Sequence, residues 1–189
     1  MKSLLFLAII LILLLTVTTI MLLHKCKKLR SKIQQFNDAE TWHRLAYTDD
    51  LTGLFNRTAY SKRVAEIERM KKTDGYGIIL FDIDNFKNIN DSKGHLEGDL
   101  VLKYVANTLK SVFSLSCFDV YRIGGDEFAV IASDITEDEI IYYLLSLKSV
   151  LEENSDIRLS KGYSVIQSNV ISAFKNADQM LYADKNSRK

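Results

Sequence analysis

The chain has 189 residues, with 25 Lys and Arg against 24 Asp and Glu for a formal net charge of +1, no proline and two cysteines. That length suits one ordinary domain with an appendage, and the near-neutral balance excludes the basic field that nucleic-acid binding requires. Cys26 and Cys117 are too few and too far apart for a disulfide framework or a cysteine metal site, so both are read as incidental.

The first element is the run Leu4 to Leu23, which carries no charge. About 20 apolar residues in a helix match the hydrocarbon thickness of a bilayer, whereas a secretory h-region is about 7 to 15. No small-residue cleavage site follows; His24-Lys25-Cys26-Lys27-Lys28 follows instead, and Lys25 stands where a lipoprotein signal needs a small residue. Residues 1–24 are therefore predicted to be a transmembrane anchor. Lys25, Lys27, Lys28, Arg30 and Lys32 after the run, against Lys2 before it, place the rest of the chain in the cytoplasm. The expected location is the plasma (inner) membrane, crossed once. Residues 25–46 contain no glycine, and Leu29, Ile33 and Phe36 keep the 4,3 spacing of a dimerising helix seam. That spacing breaks down at Glu40 and His43, so a solvated helical tether is an equal reading.

Residues 47–189 form the predicted globular domain. Arg57 to Lys72 reads as a helix with Asn56 as N-cap and Asp74-Gly75 as its stop. Tyr76 to Asp82 is a short apolar run ending in acids, the pattern of a strand buried on both faces. Leu96 to Phe113 shows apolar residues at helical spacing. Cys117 to Ile123 and Phe128 to Ala132 are strand-like runs flanking Gly124-Gly125-Asp126-Glu127, a hairpin signal. Thr136 and Glu139 make a capping box for a helix through Leu151, Arg158 to Ile166 is a further strand, and Val170 to Asn186 a closing amphipathic helix. Strand, helix, strand, strand, helix, strand is the α+β, ferredoxin-like (βαββαβ) order, in which the first two strands run parallel with the third between them. A hairpin joining strands two and three then has its turn beside the carboxyl end of strand one, so Asp82 and Asp126, about 44 positions apart, meet at one edge of the sheet.

Alone, Gly124-Gly125-Asp126-Glu127 is most simply a hairpin whose glycines supply positive φ. The second acidic cluster, Asp82-Ile83-Asp84, changes that weighing, because unpaired carboxylates converging at one place repel one another unless a cation sits between them. Oxygen-rich sites of this kind suit magnesium, which bridges a few carboxylates and substrate phosphates. Gly124 and Gly125 let backbone approach a ligand closely, and Lys87 and Lys185 offer compact charges to phosphates, although without the acids each lysine would read as a solvated surface charge.

Three stretches then carry a resemblance: Asp50-Leu-Thr-Gly-Leu-Phe-Asn-Arg57; Phe81-Asp-Ile-Asp-Asn-Phe-Lys-Asn-Ile-Asn-Asp91 with Gly94-His95 and Gly98-Asp99; and Arg122-Ile-Gly-Gly-Asp-Glu-Phe128. Together with Ser160-Lys-Gly162, Ala177-Asp178, Leu181-Tyr182 and Lys185, and over residues 47–189, the chain resembles the GGDEF-domain diguanylate cyclases. The resemblance implies a palm-type nucleotidyl cyclase domain that joins two GTP molecules into cyclic di-GMP. It implies two Mg2+ ions per site, Mn2+ being the alternative, held by the carboxylates of Asp82 and Asp126 and the carbonyl of Ile83. Glu127 acts with Asp126, either as a metal ligand or as the base for the attacking hydroxyl. Asn90 and Asp99 match positions that hold the guanine edge, and Lys87 and Lys185 match phosphate contacts. Where the family has Gly-Arg the chain has Arg188-Lys189, so Lys189 or Arg188 carries the terminal cation. Because each domain offers one GTP site, the resemblance also implies a homodimer.

One departure stands out. The family's Arg-x-x-Asp inhibitory site falls on Leu115-Ser116-Cys117-Phe118, with neither charge present, so feedback through that site is not expected. The rival readings are a catalytically silent, membrane-tethered GTP-binding or scaffold module, and a cyclase with a single-nucleotide or mixed-dinucleotide product.

Overall fold

The computed structural model describes the backbone of residues 2–70, 73–167 and 169–187, and their side chains apart from those of 2–12, 33, 35–40 and 154. Two compact units result, one ending at Arg44 and one beginning at Leu45. The first is a single helix, α1, which runs Lys2–Tyr47 into the start of the second. Its described apolar side chains, Leu13 to Leu23 and Leu29, are exposed. Among the described residues no helix is long and apolar enough to cross a membrane. The expected span reaches back to Leu4, and its first nine side chains lie outside the described residues; the remaining Leu13–Leu23 segment rises only about 17 Å at 1.5 Å per residue, against a hydrocarbon core of about 30 Å. Of the expected helix seam, Ile33 and Phe36 also lie outside the described side chains.

In the second unit the order is α2 (Arg57–Glu68), β1 (Gly77–Ile83), α3 (Phe86–Lys93), α4 (His95–Val112), β2 (Phe118–Arg122), β3 (Glu127–Ala132), α5 (Glu137–Asn154), β4 (Leu159–Val165) and α6 (Val170–Asn186). The sheet order is β2-β3-β1-β4, with every neighbouring pair antiparallel. Strands β1 and β2 therefore run parallel with β3 between them, the ferredoxin-like arrangement the sequence predicts.

Local signals account for most boundaries. The Asn56 side chain caps α2 by accepting from Ala59 N at 3.0 Å. Thr136 and Glu139 form a reciprocal capping box at α5, with Thr136 N donating to Glu139 Oε2 at 2.8 Å. Helix α2 ends at Glu68, before the expected stop at Asp74-Gly75. Helix α3 is an element the hydrophobic pattern does not predict. It begins after Asn85 in the left-handed region and ends at Gly94, whose φ of 87° suits glycine.

Every residue of β1 is buried, because the sheet is covered on both faces. Strand alternation divides the core accordingly. Ile79, Phe81 and Ile83 face α4 and α5 and share a cluster with Val105 and Leu109, while Ile78 and Leu80 face α2 and α6 with Ile67 and Ala177. Asp82 shares the second face. Gly162 sets the fit of α6, since a Cβ there would run into the backbone of Ala177 and Leu181. Without that side chain α6 lies directly on β4, and its last turn arrives at the end of β1.

Candidate active site at the carboxyl end of β1

Register brings the two acidic clusters together. Asp82 stands opposite Glu127 of β3 on one side and Ser160 of β4 on the other, and Ile83 N donates to Asp126 O at 3.2 Å. Asp82, only 8% exposed, sits at the floor of this edge, Asp126 is half-buried in the turn, and Glu127 is exposed at the start of β3. Asp84 continues the row: its amide donates to Arg158 O at 3.0 Å and its carboxylate accepts a short hydrogen bond from Ser160 Oγ.

Among the described residues one ammonium bonds this edge. Lys185, in the last turn of α6, donates from Nζ to Asp82 Oδ1 at 2.7 Å. That hydrogen bond raises the lysine's pKa above its ordinary value; partial desolvation opposes the rise, and the fields of Asp82, Asp126 and Asp84 add to it. The acids thus already draw a cation. Among the described residues no three His, Cys, Asp or Glu side chains are grouped to hold a metal on their own. Two carboxylates, Asp82 and Asp126, beside an open turn fit the way magnesium binds, through one or two protein carboxylates with substrate phosphates completing its shell.

The turn is held from behind by Arg122 and Thr52, which lie in the quoted motifs without an assigned role, and by Asp49, which the sequence does not single out. Arg122 donates to Gly125 O from Nη2 at 2.7 Å and from Nε at 3.2 Å, while its Nη1 contacts both carboxylate oxygens of Asp49 at 3.1 and 3.2 Å. Asp49 in turn accepts from Thr52 N at 2.9 Å and Thr52 Oγ1 at 2.6 Å. Burial pushes the Asp49 carboxyl up, but the bonds from Thr52 and Arg122 outweigh it and hold the group below its ordinary value. The expected role of the glycines needs correction. The glycines with positive φ are Gly53, Gly75 and Gly94; Gly124 and Gly125 are not among them. At Gly124 the Glu127 carboxylate folds back to where a Cβ would lie, so a larger residue there would displace that side chain, whereas a Cβ at Gly125 would meet nothing within 4 Å.

The remaining predicted residues lie on the two helices that follow β1. Lys87 is exposed in the first turn of α3, which leaves directly from the acidic edge. Asn90 of α3 packs its amide over Gly98 of α4, where a Cβ would displace it, and so comes beside the turn of α4 that carries Asp99. Lys189 and Arg188 lie outside the described residues. Phe118, at the last position of the expected inhibitory motif, is buried in an aromatic cluster, 5.2 Å from the Phe113 ring and 4.7 Å from that of Tyr143.

A ferredoxin-like sheet with paired acids at the end of its first strand and in its hairpin turn is a palm-like α+β fold. The chain belongs to the diguanylate cyclase GGDEF-domain family, whose pattern it matches over residues 46–189. It is 38% identical over 144 residues, 74% of this chain and 31% of the relative, to a probable diguanylate cyclase, DgcI, of Escherichia coli. It is 31% identical over 153 residues, 73% of this chain and 43% of the relative, to an uncharacterized membrane protein of Staphylococcus saprophyticus. The chain thus spans less than half the length of either curated relative. Among solved structures, the coiled coil and GGDEF domain of DgcB from Caulobacter crescentus, in complex with c-di-GMP, superposes with a TM-score of 0.75 at 28% identity, covering 88% of this chain and 95% of that one.

Proposed function

We propose that this chain is a diguanylate cyclase that condenses two GTP molecules into cyclic di-GMP, releasing one pyrophosphate for each bond formed, with two GTP-loaded domains facing each other in a homodimer. The observation that carries the reading is the strand register that sets Asp82 beside Glu127 and ties Ile83 to Asp126. Asp82, Asp126, Glu127 and the Ile83 carbonyl would hold two magnesium ions, or manganese, which when bound supply positive charge to the attacking and leaving oxygens. Lys87 and Lys185 contact the phosphates, with Lys189 or Arg188 as the further cation. Asn90 and the Asp99 carboxylate accept from and orient the guanine edge, which selects GTP over ATP. Glu127 is placed to take the proton of the 3′-hydroxyl or to join Asp126 as a ligand.

The test is mass spectrometry of the products formed from GTP and magnesium by the full chain in phospholipid nanodiscs. Cyclic di-GMP that disappears in Asp126→Ala supports the assignment, whereas tight GTP binding without product identifies a silent module. A product of single-nucleotide or mixed-dinucleotide mass would identify the other rival. With Phe118 buried where an aspartate would be needed, product inhibition through that motif is not expected, and a submicromolar inhibition constant would count against this.

The same proposal places the chain in the plasma (inner) membrane through residues 1–24, crossed once, with residues 47–189 cytoplasmic. The uncharged run Leu4–Leu23 and the cations after it support this, as does the name of the staphylococcal relative. The full chain should resist carbonate extraction from membranes and a chain lacking residues 1–24 should not; release of both would refute the anchor.

A further inference from the structure

A cavity of about 370 Å3 opens on the face of the sheet away from the Asp82 side chain. Its floor is apolar: Phe81 of β1, Leu159 of β4, and Leu144, Leu147 and Leu151 of α5. Its rim carries three cations, Lys148, Arg158 and Lys161, and one acid, Glu152. The single acid is already engaged, since Lys148 Nζ lies 3.6 Å from Glu152 Oε1 one helical turn away. Among the described residues neither the Arg158 guanidinium nor the Lys161 ammonium has a hydrogen-bond or ion-pair partner.

Lys161 is the unusual member of the set. Its register partner is Phe81, and alternation places its side chain on the same face as Leu159 and Tyr163, where the neighbouring positions pack into the core. A lysine there covers apolar surface with its stem and carries its charge to the cavity mouth. By itself that is ordinary behaviour for a half-buried lysine. Combined with Arg158 and a cavity of this size, it leaves an apolar hollow under two uncompensated positive charges, a shape and field that select an anion with an apolar body.

We infer that this cavity is a binding site for a small amphipathic anion, an aromatic or aliphatic body bearing a carboxylate or phosphate, with the body over Ile157, Leu159 and the Lys161 stem at the mouth and the head between Lys161 and Arg158. The site is separate from the acidic edge, yet both use the same piece of chain. Arg158 O and Ser160 Oγ bond Asp84 at the edge, and Lys161 N donates to Asp184 Oδ2, beside Lys185, at 2.9 Å.

The experiment measures binding of 2-naphthoate to the full chain in phospholipid nanodiscs by equilibrium dialysis, with empty nanodiscs subtracted, in the absence and in the presence of saturating GTP. The anion should bind at least about tenfold more tightly than the matched cation, 2-naphthylmethylammonium, and Lys161→Met should weaken it by about tenfold or more, the effect of losing one charged contact. Arg158→Gln, at an exposed position, supplies the same test where Lys161→Met does not fold. Equal binding of anion and cation, unchanged affinity in the folded variants, no binding at millimolar 2-naphthoate, or its displacement by GTP would overturn the inference.

Discussion

The two halves of the acidic site differ in how far the protein has assembled them by itself. At the strand ends, Asp82 holds Lys185, Asp84 holds Ser160, and Arg122 joins Asp49 to the Gly125 carbonyl. On α3 and α4, by contrast, Lys87, Asn90 and Asp99 have no side-chain hydrogen bond or ion pair among the described residues. The strand-end groups just named are tied to one another, while the Asp126 and Glu127 carboxylates between them have no side-chain hydrogen bond or ion pair among the described residues. The second half presents unsatisfied donors and acceptors to solvent. Under the proposed function this difference is a division of labour in which the strand ends fix the reacting geometry and the helices read the ligand.

Substitutions can break that division. The largest effect is expected from Asp126→Ala or Asp82→Ala, which should lower cyclase turnover on the order of 10²-fold or more, by analogy with the loss of one transition-state contact. Circular dichroism should show the fold intact, because Asp126 lies in a turn and Lys185, released from Asp82, can reach water. Near-normal turnover in either variant would remove the acids from the chemistry. Next in size is Asp99→Ala, for which loss of a charged hydrogen bond to guanine predicts a fall of about 10- to 100-fold in kcat/KM for GTP. Thermal stability should not change, and an equal fall for ATP would show that Asp99 does not read the base.

Gly162→Ala sharpens the comparison from the structural side. Its Cβ would press on the α6 backbone, and overpacking of that kind costs about 1–3 kcal/mol. The prediction is a lowered Tm together with reduced turnover, because Lys185 moves with α6. The smallest effect is expected from Asp49→Asn, at about 1 kcal/mol by chemical denaturation. The Asp49 carboxyl is held below its ordinary value, so its stabilising contribution is present above the unfolded value of roughly 4 and is lost as pH falls through the lower folded value. The gap between wild type and Asp49→Asn should therefore be constant from about pH 5 to 8 and close below about pH 4. A gap that widens in acid would contradict the assignment.

Much of this architecture was legible in the residues. Helix α6 spans the residues its apolar spacing predicts, the α5 capping box forms as read, and the βαββαβ order alone required Asp82 and Asp126 to meet. Helix α3 escaped because it is only eight residues long, its two apolar residues Phe86 and Ile89 are only partly buried against the core, and it starts from an asparagine in the left-handed region. The Arg122–Asp49 and Ser160–Asp84 contacts escaped because the partners are 73 and 76 residues apart and neither pair shares a motif. Gly124 was visible as a glycine, but the room it leaves for its own neighbour Glu127 is a packing fact that a turn rule does not contain.

The antiparallel register that sets Glu127, Asp82 and Ser160 side by side across three strands has a consequence for how such a chain can diverge. The acids are aligned by strand phase, and a one-residue slip in β3 or β4 would turn its whole row of side chains to the other face. The loops outside the strands carry no such constraint. Insertions and deletions should accumulate between Val112 and Phe118, or between Asn154 and Leu159, without disturbing the alignment, while a single inserted residue within β1, β3 or β4 should be lethal to the site even in a protein that still folds.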